Sequence, residues 1–392
     1  MELTIEEVFE AYYACRKNKR YAPGSLAFET NYESRLIALH EELVKRTWQP
    51  GKSTCFIVKK PVRREVFAAS FQDRIVHHIL VRRMESAFEK HFIFDSYACR
   101  TGKGTRAAIL RAEHFVKSFS DNGKKDAYIL KLDIQSFFMS IHRPLLYRML
   151  TNFVNTVYAN TLLDKDASLE LYLIEKIVLN NPSLNCIFKS PASEWEELPK
   201  EKSLFTAKTD CGIPIGNLTS QVFANFYLSP LDHYAKHILK IRHYVRYVDD
   251  LVIICTCPWT AHYFRKKLSA FLKDNLFLKF NSKKIYVQHI KNGFQFLGTY
   301  IKPSHTTCAH RIKDNFVRSL KKYALLAMLH RPCKEEIVSF RSSVNSYLGI
   351  LSHYKSYTFR VRQLDYFCTP FWSQFFALQR DAKKIILAKK AI

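Results

Sequence analysis

One stretch constrains the fold of this chain more than any other, namely residues 243–254, which run His-Tyr-Val-Arg-Tyr-Val-Asp-Asp-Leu-Val-Ile-Ile. Strand-favouring residues lead into Asp249 and Asp250, and a second apolar run follows them. This pattern predicts a β-hairpin with two carboxylates at its tip. Asp tolerates unusual backbone angles, so an ordinary turn is one interpretation. The other is a metal platform, because adjacent carboxylates offer the oxygen ligands that hard divalent cations prefer.

A third carboxylate stands at the end of another predicted strand. The strand covers residues 128–133 and ends at Asp133, and two aromatic residues follow at 137 and 138. A lone Asp at such a position is usually a helix cap. A partnership of Asp133 with Asp249 and Asp250 would instead suit phosphoryl transfer, in which two divalent metals clamp the attacking and leaving oxygens.

The charge of the chain points to a polyanionic partner. The 392 residues include 61 Lys and Arg against 35 Asp and Glu, which gives a net charge of +26. The excess recurs along the whole chain, so nucleic acid is favoured over a basic surface that only aids solubility. The length predicts two or three subdomains at about 150 residues each, and the 47% apolar content allows sizeable cores.

The cysteines and the N-terminus indicate a cytoplasmic protein. None of the ten cysteines forms a C-x-x-C pair, which is typical of reduced thiols. The N-terminus lacks a signal-peptide pattern, and no apolar run is long enough to span a membrane. His305, Cys308 and His310 could be zinc ligands, but their spacing fits no familiar finger and no fourth ligand is evident, so we expect no metal there.

Three loops could meet a nucleic acid or a nucleotide. Residues 59–64 combine Lys59, Lys60, Arg63 and Arg64 in one turn, which is either a phosphate clamp or a solvated hairpin tip. The Gly-bearing basic loop at 96–105 contains Arg100 and is either a contact to a sugar-phosphate chain or a plain strand-to-helix connection. The turn-rich loop at 209–221 exceeds what helix capping needs, and it suggests a binding wall.

Together these stretches resemble the reverse transcriptases of bacterial retroelements. Tyr-Val-Asp-Asp at 247–250 is similar to that family's Tyr-x-Asp-Asp box, and Asp133 matches its first catalytic aspartate. The resemblance implies an α+β right-hand polymerase with fingers, a palm whose antiparallel sheet carries the catalytic aspartates, and a helical thumb. It implies an RNA-directed DNA polymerase with two Mg²⁺ ions, or Mn²⁺ as a substitute, acting on dNTPs, a template RNA and a primer or cDNA.

The resemblance also implies roles for individual residues. The metal-binding catalytic residues would be Asp133, Asp249 and Asp250, and Lys284 falls where the family has a lysine proposed as general acid to pyrophosphate. The residues expected at the nucleotide are Lys60, Arg64, Phe138, Ile215, Gly216 and Gln221, of which Phe138 would exclude ribonucleotides. The residues expected at the primer or template are Arg100, Tyr247, Phe296, Leu297 and Gly298, the last three resembling the primer grip.

One departure narrows the resemblance. Most reverse transcriptases carry Gln-Gly-x-x-x-Ser-Pro before the helix, whereas residues 215–221 here are Ile-Gly-Asn-Leu-Thr-Ser-Gln. This pattern is similar to the enzymes of diversity-generating retroelements. The likeness implies copying of a template-repeat RNA into cDNA with errors at template adenines, and a small basic, oligomeric accessory protein as partner in a bacterial or phage-encoded system.

Two other functions remain open for this chain, and the resemblance also predicts a division into subdomains. The chain could serve a group II intron, a retron or a phage-defence system, or it could be a non-catalytic nucleic-acid-binding scaffold. We expect an N-terminal helical extension at 1–50, fingers at 51–125, a palm at 126–300 with a fingers-type insertion around 145–220, and a basic helical thumb at 301–392.

Overall fold

The computed structural model describes residues 3–17, 23–59, 62–159, 167–367, 372 and 374–387. Helices and antiparallel strands are mixed along these residues, which is the composition of an α+β fold. No helix in these ranges combines the length and the apolar character needed to cross a lipid bilayer.

The α-helices of the described residues alternate with strands in the first two thirds of the chain and are grouped together near its end. They are α1 (Ile5–Arg16), α2 (Pro23–Glu29), α3 (Tyr32–Val44), α4 (Phe71–His91), α5 (Thr105–Phe119), α6 (Phe137–Ser140), α7 (Arg143–Ala159), α8 (Ser168–Val178), α9 (Ser193–Glu196), α10 (Leu218–Tyr227), α11 (Ser229–His233), α12 (Pro258–Leu276), α13 (His310–Leu329), α14 (Lys334–Leu351) and α15 (Tyr357–Phe367).

The strands are short, as expected for small antiparallel sheets. They are β1 (Ser53–Val58), β2 (Arg64–Ala68), β3 (Tyr128–Asp133), β4 (Cys186–Phe188), β5 (Tyr244–Tyr247), β6 (Asp250–Cys255), β7 (Tyr286–His289), β8 (Phe294–Phe296), β9 (Thr299–Ile301), β10 (Thr306–Cys308), β11 (Phe376–Leu378) and β12 (Ile385–Leu387).

The sheet that matters for the site has the strand order β5-β6-β3-β7. The strands β5 and β6 form the predicted hairpin, in antiparallel register with Tyr247 opposite Asp250. In β6, Leu251 to Cys255 are all buried, because helices cover this sheet. Helix α12 is one of the helices that pack on this sheet. Its buried side carries Ala261, Leu268, Leu272 and Leu276.

The chain forms two compact units. The first contains residues 1–108 and 130–287, and the second contains residues 109–129 and 288–392. The core of the second unit is rich in aromatic rings: Phe340 and Trp372 stack with their centroids 4.1 Å apart, and Phe316 and Val344 are fully buried beside them.

Two short pairings were not predicted from the sequence. Strand β4, which lies in the expected fingers-type insertion around 145–220, pairs in parallel with β1. Strands β11 and β12 form an antiparallel hairpin within a region expected to be helical throughout. A three-residue strand carries too little periodicity to be recognised, since its pairing partner rather than its own pattern defines it.

Candidate active site

The turn between β5 and β6 holds the predicted carboxylate pair in a strained backbone. Because Tyr247 pairs with Asp250, the turn consists of Val248 and Asp249 alone. Val248 has a φ of 54°, which is the left-handed region that β-branched residues avoid. A positive φ at the first central residue matches the type II′ hairpin turn, which suits the twist of the strands. The surrounding structure must supply the roughly 1–3 kcal/mol that such a conformation costs.

A buried ion pair lies directly beneath this turn. The side chains of Arg246 and Asp232 are both fully buried and pair at 2.5 Å. A second guanidinium nitrogen of Arg246 donates to the carbonyl oxygen of Val248 at 3.0 Å, and the Tyr244 hydroxyl donates to Asp232 at 2.6 Å. The pair therefore fixes the carbonyl of the strained residue from below. Sequence reasoning missed both residues, although a charged Arg inside an otherwise apolar and aromatic strand was a usable signal.

The third aspartate meets this turn through the backbone. The amide of Ile134, next to Asp133, donates to the carbonyl oxygen of Asp249 at 3.2 Å. The side chain of Asp133 accepts two hydrogen bonds from Lys284 Nζ, at 2.8 and 3.0 Å. The structure thus brings together all four residues expected to act in catalysis.

The carboxylates at the turn are difficult to ionise. Burial, and then the charge of Asp133, raise the pKa of Asp249 to about 6, against the weaker opposing effects of Lys284 and Arg64. Burial also raises the pKa of Asp250 to about 6, although Lys131 opposes the shift. Like charges gathered in a poorly solvated place produce this result, and a cation would relieve it.

The donor chemistry of this cluster fits a divalent metal ion. All the available ligand atoms are carboxylate oxygens, which suit hard cations. Oδ1 of Asp250 is buried without a hydrogen-bond partner, while Oδ2 lies 3.4 Å from Lys131 Nζ. Such an orphaned acceptor is costly unless something binds it. Among the described residues no three His, Cys, Asp or Glu side chains already enclose a metal-sized position.

Two of the residues expected at the nucleotide pack against one apolar cluster. This nucleotide-side cluster is formed by Cys55, Phe67, Met139 and Leu204, and the partly buried Phe138 and Ile215 pack against it. Arg64 is exposed at the start of β2, and its charge acts on Asp249. Lys60 lies outside the described residues.

Gly216 allows the loop at 209–221 to lie against β2. The amide of Phe67 donates to the carbonyl oxygen of Ile215 at 2.8 Å. A Cβ on Gly216 would lie only 2.7 Å from the carbonyl oxygen of Phe67, and the φ of Gly216 is 130°. Only glycine meets both conditions without strain. Gln221 is exposed farther along, on α10, and accepts a hydrogen bond from the Cys99 thiol at 3.3 Å.

A buried carboxylate that sequence reasoning missed secures the insertion to β2. Glu65 follows Arg64 and is 1% exposed. It accepts hydrogen bonds from Trp195 Nε1 at 2.8 Å and from the Ser203 hydroxyl and the Leu204 amide at 2.7 Å each. These bonds satisfy the buried charge and attach residues 195–204 to the strand that carries Arg64.

Two residues expected at the primer or template have surroundings that argue against direct contact. The side chain of Arg100 is 5% exposed and pairs with Glu89 at 2.8 Å, and one of its nitrogens also donates to the carbonyls of Ile93 and Ser96. This places Arg100 in the internal support of its loop. Phe296 is fully buried, so its ring is enclosed by the protein and is not presented at the surface.

The other expected primer and template residues lie at turns. The hydroxyl of Tyr247 accepts a hydrogen bond from Thr105 at 3.0 Å. Leu297 and Gly298 in the second unit have φ values of 48° and 78° and connect β8 to β9 as a two-residue turn. Positive φ at both positions is the type I′ arrangement.

The residues weighed as zinc ligands have other surroundings. Cys308 is 2% exposed and belongs to the hydrophobic core of the second unit, where burial raises the pKa of its thiol to about 11. Nδ1 of His305 lies 2.9 Å from the Ser304 hydroxyl. A buried neutral thiol in an apolar core is a packing residue.

Comparisons with known proteins find similarity to a curated protein and to solved structures. Among curated proteins, Protein YkfC of Escherichia coli K12 is 21% identical over 369 residues, covering 84% of this chain and 82% of that protein. Two solved structures are similar at a TM-score of 0.47: telomerase from Candida albicans in complex with a fragment of telomeric RNA, 12% identical over 88% of this chain, and apo telomerase from Candida tropicalis truncated from its C-terminal domain, 13% identical over 66%. The matches cover 60% and 55% of those telomerase chains, which is less than two thirds of either.

A protein-family model carries the assignment. The model described as reverse transcriptase (RNA-dependent DNA polymerase) matches residues 57–301, which is more than half of the chain. That range includes the three aspartates, Lys284 and every residue of the nucleotide-side cluster except Cys55. The expected α+β right-hand polymerase fold and the expected enzyme class are thereby confirmed, and this chain belongs to the reverse transcriptase family of RNA-directed DNA polymerases.

Proposed function

We propose that this chain joins deoxynucleotides to a primer on an RNA template at the site formed by Asp133, Asp249 and Asp250. The observation that carries the proposal is the meeting of these carboxylates where β3 ends and β6 begins, with pKa values of about 6 for Asp249 and Asp250. Carboxylates that repel one another beside an exposed arginine are suited to a triphosphate with its counter-cations.

Asp133, Asp249 and Asp250 would hold two divalent cations, Mg²⁺ or Mn²⁺ in its place, which supply charge stabilisation to the attacking and leaving oxygens of nucleotidyl transfer. The chain's own cations complete the charge balance. Arg64 faces the same cluster and would bind the triphosphate, together with Lys60. Lys284 pairs with Asp133, and its side chain is 60% exposed, so it can turn to protonate or neutralise the departing pyrophosphate.

Phe138 would select the sugar of the incoming nucleotide. It follows Asp133 by five residues, and its carbonyl oxygen accepts a hydrogen bond from the Ile213 amide at 2.9 Å. This bond ties the gate residue to the loop that contains Ile215. The Phe138 ring, which extends from this anchored backbone and packs against the nucleotide-side cluster, would clash with a ribose 2′-hydroxyl and would favour deoxynucleotides.

We further propose that the chain is the reverse transcriptase of a diversity-generating retroelement. The support is the Ile-Gly-x-x-x-Ser-Gln pattern at 215–221, together with the packing of Ile215 against the cluster that also contacts Phe138. An apolar residue here removes a hydrogen-bonding group beside the nascent base pair. In this proposal a bacterial or phage-encoded cytoplasmic enzyme copies a template-repeat RNA with errors at adenines, aided by a small basic accessory protein.

Replacing Ile215 with glutamine tests the finer proposal. A restored hydrogen bond of about 1–3 kcal/mol would improve selectivity by about 5- to 150-fold, so misincorporation opposite template adenine should fall by a factor in that range. Errors are counted by sequencing cDNA copied from a defined RNA. Ile215→Val, which keeps the position apolar, is the matched control and should leave the error spectrum unchanged. An unaltered error rate at adenine in Ile215→Gln would remove this residue from the explanation.

The non-catalytic alternative makes the opposite prediction for the carboxylates. If the chain were only a scaffold, Asp249→Asn would leave its function intact. The polymerase proposal predicts that primer extension on RNA collapses in this variant while RNA binding survives, which a gel-based extension assay and a binding titration measure side by side.

A further inference from the structure

The outward face of α12 carries a group of residues with no role in the site described above. Trp259, Tyr263, Lys266 and Lys267 follow one another at spacings of four, three and one residues. Because residues at i, i+4, i+7 and i+8 share one side of an α-helix, these four side chains form a single stripe. We call it the outer stripe.

The outer stripe lies on a firmly held helix. The opposite side of α12 is buried through Ala261, Leu268, Leu272 and Leu276. Phe271 stacks on Tyr234 with the ring centroids 4.5 Å apart. A helix anchored along its length presents its outer residues at fixed distances, which is what a binding surface requires.

The aromatic residues of the stripe are unusually exposed. Trp259 is 83% exposed and Tyr263 is 52% exposed, whereas large aromatic side chains are mostly buried in folded proteins. Lys267 Nζ lies 5.8 Å from the centre of the Tyr263 ring, so cationic and aromatic groups are interleaved. Flat rings flanked by ammonium groups are suited to a ligand that offers both stacking faces and negative charge.

We propose that the outer stripe binds single-stranded RNA, with unpaired bases stacked on Trp259 and Tyr263 and phosphates at Lys266 and Lys267. Four basic residues and one acidic residue lie on α12, and the whole chain has a net charge of +26. Charge complementarity therefore favours a polyanion over a protein. A small basic accessory protein, in particular, would be repelled by this surface.

The outer stripe begins at the end of β6 that lies away from the site of nucleotide addition, and it lies on the side of α12 opposite its buried residues. Strand β6 leads away from Asp250 and ends at Cys255, and five residue steps along a strand cover roughly 17 Å. Helix α12 begins only after that end. The bound RNA would thus be a segment other than the copied one, held while the polymerase acts elsewhere. The role assigned to the bound RNA rests on the proposed function, whereas the binding of RNA by the outer stripe does not.

The test measures RNA binding to the full-length chain whose polymerase cleft is already saturated with a short, unlabelled primer–template. A fluorescent, unstructured 12-nucleotide RNA is titrated and its anisotropy followed. Trp259→Ala with Tyr263→Ala should weaken binding at least about fivefold, as expected for the loss of base stacking. Trp259→Phe with Tyr263→Phe keeps the rings and should stay within twofold of the wild type. An affinity within twofold for the alanine pair would overturn the proposal.

The lysines give an independent readout. Each phosphate contact to a single strand contributes about 0.7 to the slope of log affinity against log salt, so Lys266→Gln with Lys267→Gln should lower that slope by up to about 1.4. The matched control is Lys17→Gln with Lys45→Gln, which removes two exposed charges elsewhere and should leave the slope unchanged. Equal slopes in the two double variants would contradict the proposal.

Two further measurements distinguish a failure of this inference from a failure of the proposed function and from a loss of stability in the variants. Extension of a primer on a short template should be unchanged in the outer-stripe variants, and absence of extension in the wild type would count against the proposed function alone. If Trp259→Ala with Tyr263→Ala lowers the melting temperature, the variant Lys266→Glu with Lys267→Glu is used to test the proposal instead. It should weaken RNA binding at least fivefold, and unchanged binding would overturn the proposal.

Discussion

Replacing Asp249 with asparagine is expected to stabilise the protein while abolishing its polymerase activity. Burial and the charge of Asp133 raise the pKa of Asp249 from its ordinary value of 3.8 to about 6. Since one pKa unit corresponds to about 1.4 kcal/mol, keeping this carboxylate ionised costs the folded state about 3 kcal/mol. Solvent screening lowers this figure, so we expect a gain of about 1–3 kcal/mol in the free energy of unfolding at pH 8 when the metal is chelated.

The stability gained in Asp249→Asn should depend on pH in a direction set by the raised pKa of Asp249. A carboxyl group whose pKa is higher in the folded state destabilises the fold only when it is ionised. The penalty is therefore absent below the unfolded value near 4, grows between about 4 and 6, and is complete above about 6. At pH 5 roughly half of the advantage of Asp249→Asn should remain. Polymerase activity of the wild type should decline in the same window, because protonated Asp249 and Asp250 are poor ligands for a cation.

Urea unfolding followed by tryptophan fluorescence, with EDTA present, measures the difference at pH 8 and pH 5. Asp314→Asn is the matched control, because Asp314 is exposed on α13 and its replacement should leave the stability unchanged at both pH values. The reasoning fails if Asp249→Asn is no more stable than the wild type at pH 8. It fails equally if the gain is the same at both pH values, because a packing effect would not titrate.

The remaining predictions concern the gate, the loop and the ion pair. Phe138→Ala should admit ribonucleotides, detected as alkali-labile sites in the cDNA; a product free of such sites would refute the gate assignment. Gly216→Ala should move the loop off β2 and lower kcat/KM for dNTPs, because a Cβ would lie 2.7 Å from the Phe67 carbonyl oxygen; unchanged steady-state kinetics would contradict this. Arg246→Met should cost about 3–5 kcal/mol in urea unfolding by leaving Asp232 unpaired, and the further change Asp232→Leu should recover much of that loss.

The sequence was sufficient to predict the parts of the site defined by local pattern. The hairpin around Asp249 follows from two apolar strands and a two-residue turn, and the end of β3 at Asp133 follows from a strand bounded by polar residues. Both signals are strong because alternation and turn chemistry act over a few residues. The α+β class follows from the same patterns, since helical and strand periodicities alternate along the chain.

The sequence was not sufficient where a residue's role depends on a distant partner. Glu65 is an unremarkable acidic residue until Ser203 and the Leu204 amide, about 140 positions away, are seen to satisfy it. Arg100 fits the description of a nucleic-acid contact until Glu89 is found on its guanidinium group. No local pattern distinguishes an arginine that binds phosphate from one that binds a carboxylate of its own chain.

The buried ion pair explains how the catalytic turn can be both strained and fixed. Val248 holds a backbone angle that β-branched residues avoid, and Asp249 next to it holds a charge that its surroundings disfavour. Both conditions raise the energy of the folded state, and a free two-residue turn would relax out of them. Arg246 opposes that relaxation, because its guanidinium group binds the Val248 carbonyl while Asp232, itself held by Tyr244, keeps the group in place. The energy stored at the turn is thus balanced by burial and pairing below it, and the carboxylates are positioned before any substrate arrives.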